Sequence, residues 1–137
     1  MESTIWIGNV NDVSNVELLN ALGIDVIINC GAEYGRPRNP VGREYHELTI
    51  HDHPEYPILQ KHFEEFFAII HPHFLKGSRI MVNCHAGCNR SVTLATAYIH
   101  YITKMPMVHL INVIASRRQP VLLNQGFVQQ LFQFERS

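Results

Sequence analysis

Residues 84–91 read Cys-His-Ala-Gly-Cys-Asn-Arg-Ser, which sets a thiol, Cys84, and a guanidinium, Arg90, at the two ends of one short run. That pairing suits attack on a phosphate ester. A phosphate dianion repels nucleophiles, so fixed donors must neutralise its oxygens before a thiolate can reach phosphorus. A loop between a strand end and a helix start supplies such donors, because its backbone N–H groups and the positive end of the helix dipole converge on one point. His85, Ala86, Gly87, Cys88 and Asn89 would line that phosphate cradle, and Arg90 would close it by gripping two oxygens with its planar fork. The same field favours the thiolate form of Cys84. Ser91 can donate a hydrogen bond to the sulfur and ease its departure, while Gly87 lets the loop curl where a side chain would block the anion.

The flanking elements fall in the order this chemistry requires. An apolar strand, Arg79 to Asn83, feeds the loop, and a helical segment from Ser91 to Thr103 follows it. Further upstream, Ser14 and Glu17 have capping-box spacing before Leu18, Leu19 and Leu22, with Gly23 as a stop, which predicts a short helix. Asp25 to Asn29 and Tyr45 to Thr49 read as strands. Residues 31–43, rich in Gly, Pro and Arg, read as a loop. Leu59, Phe63, Phe66, Phe67 and Ile70 form one helix face, and Pro72 is expected to end that helix. Two more helices are predicted, Met107 to about Arg117 and one beginning near Asn124. Strands alternating with helices predict an α/β fold: one domain, residues 1–137, with a mostly parallel mixed sheet of about five strands covered on both faces.

The segment Cys84 to Ser91 resembles the His-Cys-x5-Arg-Ser/Thr signature of the protein tyrosine phosphatase superfamily, and the wider chain resembles its compact dual-specificity phosphatases, of the atypical or poxvirus-like kind. Thr4 to Asn9, Leu22 to Asn29, Arg117 to Pro120 and Asn124 to Leu131 resemble other parts of that domain, so the likeness covers nearly the whole chain. A Cys-x5-Arg loop two-thirds of the way along disfavours the low-molecular-weight phosphatases, which carry theirs near the N-terminus. The resemblance implies a phospho-cysteine intermediate on Cys84 and a general acid in the loop containing Asp52. Asp52 would protonate the leaving oxygen and then activate the hydrolytic water; Glu55 is the second choice. Two positions depart from the pattern. Asn83 stands where the family has histidine, and Asn89 where many members have serine. Compared with relatives, the sequence starts almost at the first strand, and partner contacts that some members build on a leading helix are expected to be missing.

Composition narrows the substrate class. A net charge of −1 and a pI near 6.7 carry no polyanion-binding signature, which disfavours nucleic acid. With 46% hydrophobic and 17% charged residues, 137 residues can build a core without staples. Three cysteines make no disulfide framework, the start is no signal peptide, and no apolar run approaches membrane length, so a reducing cytoplasmic or nuclear setting is expected. Nine histidines, including the pairs His51/His53 and His71/His73, give no recognisable zinc spacing with Cys84 and Cys88. No metal or cofactor is therefore expected. Arg36, Arg38, Arg43, Arg117 and Arg118 are candidates for a second phosphate, balanced by a reading as solvated charges. Cys30 or Cys88 could trap an oxidised Cys84, with an inert buried thiol the default for Cys30. The expected substrate is a phosphoprotein bearing phosphotyrosine or phosphoserine/threonine. An RNA 5'-phosphate or phosphoinositide, and a non-catalytic phosphoprotein-binding module, are the alternatives.

Overall fold

A computed structural model describes residues 4–31, 42–86, 88–117 and 120–137. The expected positions Gly87, Arg36, Arg38 and Arg118 lie outside the described residues. The chain runs β1 (Thr4–Gly8), a 3-10 turn (Asp12–Ser14), α1 (Val16–Leu22), β2 (Val26–Asn29), β3 (Glu44–Glu47), α2 (Ile58–Leu75), β4 (Arg79–Asn83), α3 (Arg90–Thr103), α4 (Met107–Arg117) and α5 (Gln125–Arg136). Among the described residues no helix is long and apolar enough to cross a membrane.

Among the described residues the sheet has four strands in the order β1-β4-β2-β3, and every pairing between them is parallel. That corrects the expectation of a mixed sheet of about five strands: beyond β3 the described residues add one isolated antiparallel bridge, Gly31 to Thr49. β4 enters between β1 and β2, so the loop after it leaves the sheet at a switch in strand order, where α/β proteins place ligands.

Alternation along the strands divides the core in two. Val26, Ile28, Ile80 and Val82 face α2, α3 and α5, in a cluster with Phe66, Tyr98, Phe127 and Leu131. Ile27 and Met81 point the other way, onto Val13, Leu19 and Ile24 beneath α1. Both faces are thus covered, which explains why β2 and β4 read as continuous apolar runs.

Two helix boundaries differ from expectation. Pro72 lies inside α2, which continues to Leu75. Proline removes one N–H bond near the helix end, where few remain to be lost, and the real stop is Gly77 at φ 81°. At α1 the cap is Asn15, whose Oδ1 accepts from Leu18 N–H at 3.1 Å, because Ser14 is used in the 3-10 turn and bonds Val10 O.

Candidate active site

Cys84 follows the last residue of β4, and Arg90 opens α3, so residues 85–89 bridge a strand end and a helix N-terminus. Strand β4 is fixed on both sides by pairing. Cys30 N–H, just beyond β2, donates to Asn83 O at 2.6 Å and carries the ladder up to the thiol. On the other side of the loop, Val10 N–H donates to His85 O at 3.1 Å and Leu122 N–H to Cys88 O at 2.6 Å. A trans peptide points its N–H opposite its C=O, so these two bonds turn the N–H groups of Ala86 and Asn89 away from the flanking segments. Leu122 reaches Cys88 in the left-handed region, at φ 53°, an unusual place for a branched side chain. Gly31 packs against the same loop: a Cβ there would lie 3.0 Å from His85 N.

Cys84 is buried, with Sγ 3.3 Å from the hydroxyl of fully buried Ser91. A hydroxyl at that distance can stabilise negative charge on sulfur. Arg90 is also buried, and its Nη1 donates to Ile50 O at 2.9 Å, which holds the guanidinium in place and ties it to the segment that leads into Asp52. His85 and Ala86 are exposed and Cys88 is partly buried, so the outer rim of the loop is open to solvent.

Asp52 is tied to the loop by two amides. Asn89 Nδ2 donates to Asp52 Oδ2 at 2.7 Å, and Asn124 Nδ2 donates to Asp52 Oδ1 at 2.8 Å. The two asparagines also meet directly, Asn124 N–H donating to Asn89 Oδ1 at 3.1 Å. Each carboxylate oxygen keeps a further lone pair, so the clamp orients the group without using up its capacity to carry a proton. Asn124 has a second task. Its Oδ1 accepts from Phe127 N–H and caps α5, so the helix start and the carboxylate share one side chain. Next to it, Gly126 presses against the Asp52 loop: a Cβ at Gly126 would stand 1.8 Å from Pro54 O. From the sequence Asn124 reads as a helix start and Gly126 as an ordinary helix residue. The signal available was the run Asn-Gln-Gly at the head of α5.

Asn83, at the histidine position of the signature, is buried, and its Nδ2 donates to Asn29 Oδ1 at 3.2 Å. Asn29 also accepts from Gly31 N–H at 2.9 Å and donates to Tyr45 Oη at 2.9 Å, while Tyr45 donates to Glu47 at 3.1 Å. A polar chain therefore crosses from β4 through β2 to the edge strand, with neutral amides at its buried end. Cys30, in register beside Cys84, is fully buried, and burial pushes its thiol well up; the neighbouring Cys84 adds to the shift and Arg90 opposes it.

Arg43, Arg117 and Glu55 separate from the site. Arg43 Nε donates to Ile24 O at 2.9 Å and its Nη2 to Asn20 at 2.5 Å, a brace for the end of α1 rather than a phosphate ligand. Arg117 is exposed at the end of α4. Glu55 borders a cavity of about 560 Å³ between α2 and α5 whose lining includes Leu59, Phe63, Gln130 and Phe134 but none of the described residues of loop 84–91.

Residues 5–137 match the family model described as dual specificity phosphatase, catalytic domain. The chain is 33% identical over 131 residues to dual specificity protein phosphatase 22 of Xenopus tropicalis, covering 96% of this chain and 61% of the relative. With human dual specificity protein phosphatase 14 it shares 32% identity over 135 residues, covering 98% and 67%. The crystal structure of DUSP15 superposes with a TM-score of 0.87 at 30% identity, over 96% of this chain and 82% of that one. The chain spans 61% of the first of these curated relatives and 43% of human dual specificity protein phosphatase 15.

Proposed function

The chain belongs to the dual specificity phosphatase family, and from that premise we propose that it hydrolyses phosphotyrosine and phosphoserine/threonine on proteins through a phospho-cysteine intermediate. Cys84 Sγ attacks phosphorus, forming the S–P bond as the P–O bond to the substrate breaks. Asp52 gives its proton to the departing oxygen, so a neutral alcohol or phenol leaves. The Asp52 carboxylate then takes a proton from water, whose oxygen attacks phosphorus. The S–P bond breaks, inorganic phosphate leaves, and Cys84 returns as a thiolate held by the Ser91 hydroxyl. Arg90 and the backbone N–H groups of residues 85–90 neutralise the equatorial oxygens throughout.

The observation that carries this reading is the 2.7 Å bond from Asn89 to Asp52, which joins an acid to the nucleophile's own loop across the fold. A module that merely captured phosphate would need Cys84's loop and Arg90, but no carboxylate aimed at the same loop. Phosphoprotein is favoured over nucleic acid by the net charge of −1, and a reducing cytoplasmic or nuclear compartment suits a catalytic thiolate.

The test is a substrate panel of phosphotyrosine and phosphoserine peptides, 5'-triphosphorylated RNA and phosphoinositides, run with the wild type, Cys84→Ser and Asp52→Asn. Peptide turnover abolished in Cys84→Ser with binding retained is the expected result. Undiminished turnover would sink the mechanism, and turnover confined to RNA or lipid would move the substrate class while leaving the chemistry.

A further inference from the structure

Away from the phosphatase loop, three side chains that the sequence keeps apart meet on the flank of the sheet. Glu44 and His46 lie two residues apart on the edge strand β3, so they project from the same face. His73 comes from the last turn of α2. Both imidazoles aim Nε2 at a single carboxylate oxygen, Glu44 Oε2: His46 at 2.5 Å and His73 at 2.6 Å. All three donor atoms fall within 4.8 Å of one another. The rings are tilted by 56° with centroids 6.3 Å apart, so the nitrogens converge without the rings stacking.

The set has the composition and shape of a metal site. Two imidazole nitrogens and a carboxylate oxygen are the three-ligand complement that holds zinc with one position left for water. Bonds of about 2.0–2.2 Å to zinc would spread the nitrogens and the oxygen to somewhat over 3 Å, a shift that side-chain rotation supplies. Exposure is graded in the right direction. His73 is 12% exposed, His46 32% and Glu44 49%, so an ion enters from solvent over the carboxylate and comes to rest against the half-buried imidazoles. His71 is not part of the group, because its Nδ1 bonds Tyr98 Oη at 2.8 Å. The pair His71/His73 seen in the sequence is thus split, and the ligand that replaces His71 comes from a different element.

We propose that Glu44, His46 and His73 form a binding site for a divalent ion of the zinc class, separate from the catalytic thiol. Imidazole and carboxylate donors favour zinc, copper(II) or nickel(II) over calcium or magnesium. A bound ion would clip edge strand β3 to the end of α2. Chain leaving β3 supplies Ile50, whose carbonyl holds Arg90, and then Asp52, so the clip braces the segment that carries the acid.

Cobalt(II) is the probe, because its spectrum reports the donor atoms. The reduced, chelator-treated full chain is titrated with cobalt. The expected result is one equivalent bound, with visible ligand-field bands of a low-symmetry nitrogen and oxygen site, no near-ultraviolet sulfur-to-cobalt charge-transfer band, and displacement by zinc. His46→Gln, His73→Gln and Glu44→Gln should each weaken binding by roughly 100-fold or more, given that even outer-shell partners of a metal are worth ~10–100-fold. His51→Gln/His53→Gln should bind as the wild type does. Thermal unfolding without metal confirms that each variant is folded, and only in the wild type and the His51/His53 control should excess zinc raise the midpoint. Tight binding that persists in folded His46→Gln and Glu44→Gln overturns the assignment, as does a charge-transfer band placing the ion on a cysteine, or no ligand-field spectrum at all.

Discussion

Gly126 and Pro54 meet backbone to backbone: any Cβ at Gly126 would lie 1.8 Å from the Pro54 carbonyl oxygen, well inside contact distance. The first turn of α5 is therefore seated directly on the loop that carries Asp52. Gly126→Ala must push the two apart. It should cost about 1–3 kcal/mol of stability, the usual range for overpacking, and lower kcat more for alkyl than for aryl phosphates, since only the former depend heavily on the acid. Urea unfolding with steady-state kinetics on both ester types checks this. Equal losses on the two esters would show that the contact does not reach Asp52.

Asn124 acts through both ends of its amide, capping α5 with Oδ1 and holding Asp52 with Nδ2. Asn124→Ala should lose about 1 kcal/mol of stability from the cap. It should also slow alkyl phosphate turnover by about tenfold, a fraction of the ~10²–10⁴ that a general acid contributes. In an Asp52→Asn background the kinetic effect should vanish while the stability loss stays. A double-mutant cycle separates the two, and kinetic additivity would argue that Asn124 touches catalysis by another route.

Asn29 accepts from Asn83 and Gly31 and donates to Tyr45, all beside the strand that feeds the thiol. Asn29→Leu leaves the buried Gly31 N–H and the buried Asn83 amide without this acceptor, and about 3 kcal/mol should be lost on the scale of buried unsatisfied groups. Denaturant midpoints measure it directly; a loss below about 1 kcal/mol would mean the partners find other bonds.

Cys30 is held as a neutral thiol by burial and by the neighbouring Cys84. Iodoacetamide at neutral pH should alkylate Cys84 before Cys30, with Cys30 slower by about an order of magnitude or more. Peptide mapping over time reads the order. Comparable rates would show that the two thiols share one environment.

His62 accepts from, or donates to, Tyr56 Oη at 2.6 Å, and burial lowers its pKa. The unfolded chain therefore binds the proton more readily than the folded one. The neutral ring's contribution is complete above the unfolded pKa of about 6.5 and is lost as pH falls from there toward the folded value. Stability should decline as pH falls through about 6.5, and His62→Gln should flatten that part of the profile. An unchanged slope in the variant would assign the acid sensitivity to other groups.

How much of this could be read from the sequence depended on how far apart the cooperating residues lie. Cys84, Arg90 and Ser91 are contiguous, so a strand-loop-helix pattern was enough to see them as a unit. Asp52 is remote, and the chemical need for an acid together with the resemblance to the family's general-acid loop is what points to it. Asn124 and Gly126 have a local pattern only for a helix start, and their contacts with the Asp52 loop, like the meeting of Glu44 and His46 with His73, depend on the angle at which α5 or α2 packs across the sheet. Pro72 misled for the opposite reason: a strong local signal for a helix end was overridden where the helix was already close to its last turn.

Strand β4 also dictates an order of assembly. β4 bonds both β1 and β2, and its partners are distant in sequence, with Thr4 opposite Arg79. Until the ribosome has delivered residues 79–83, β1 and β2 have no shared neighbour and expose unpaired edges. Closing such non-local parallel pairs is slow, so those edges stay open to mispairing until the turn after β4 can form.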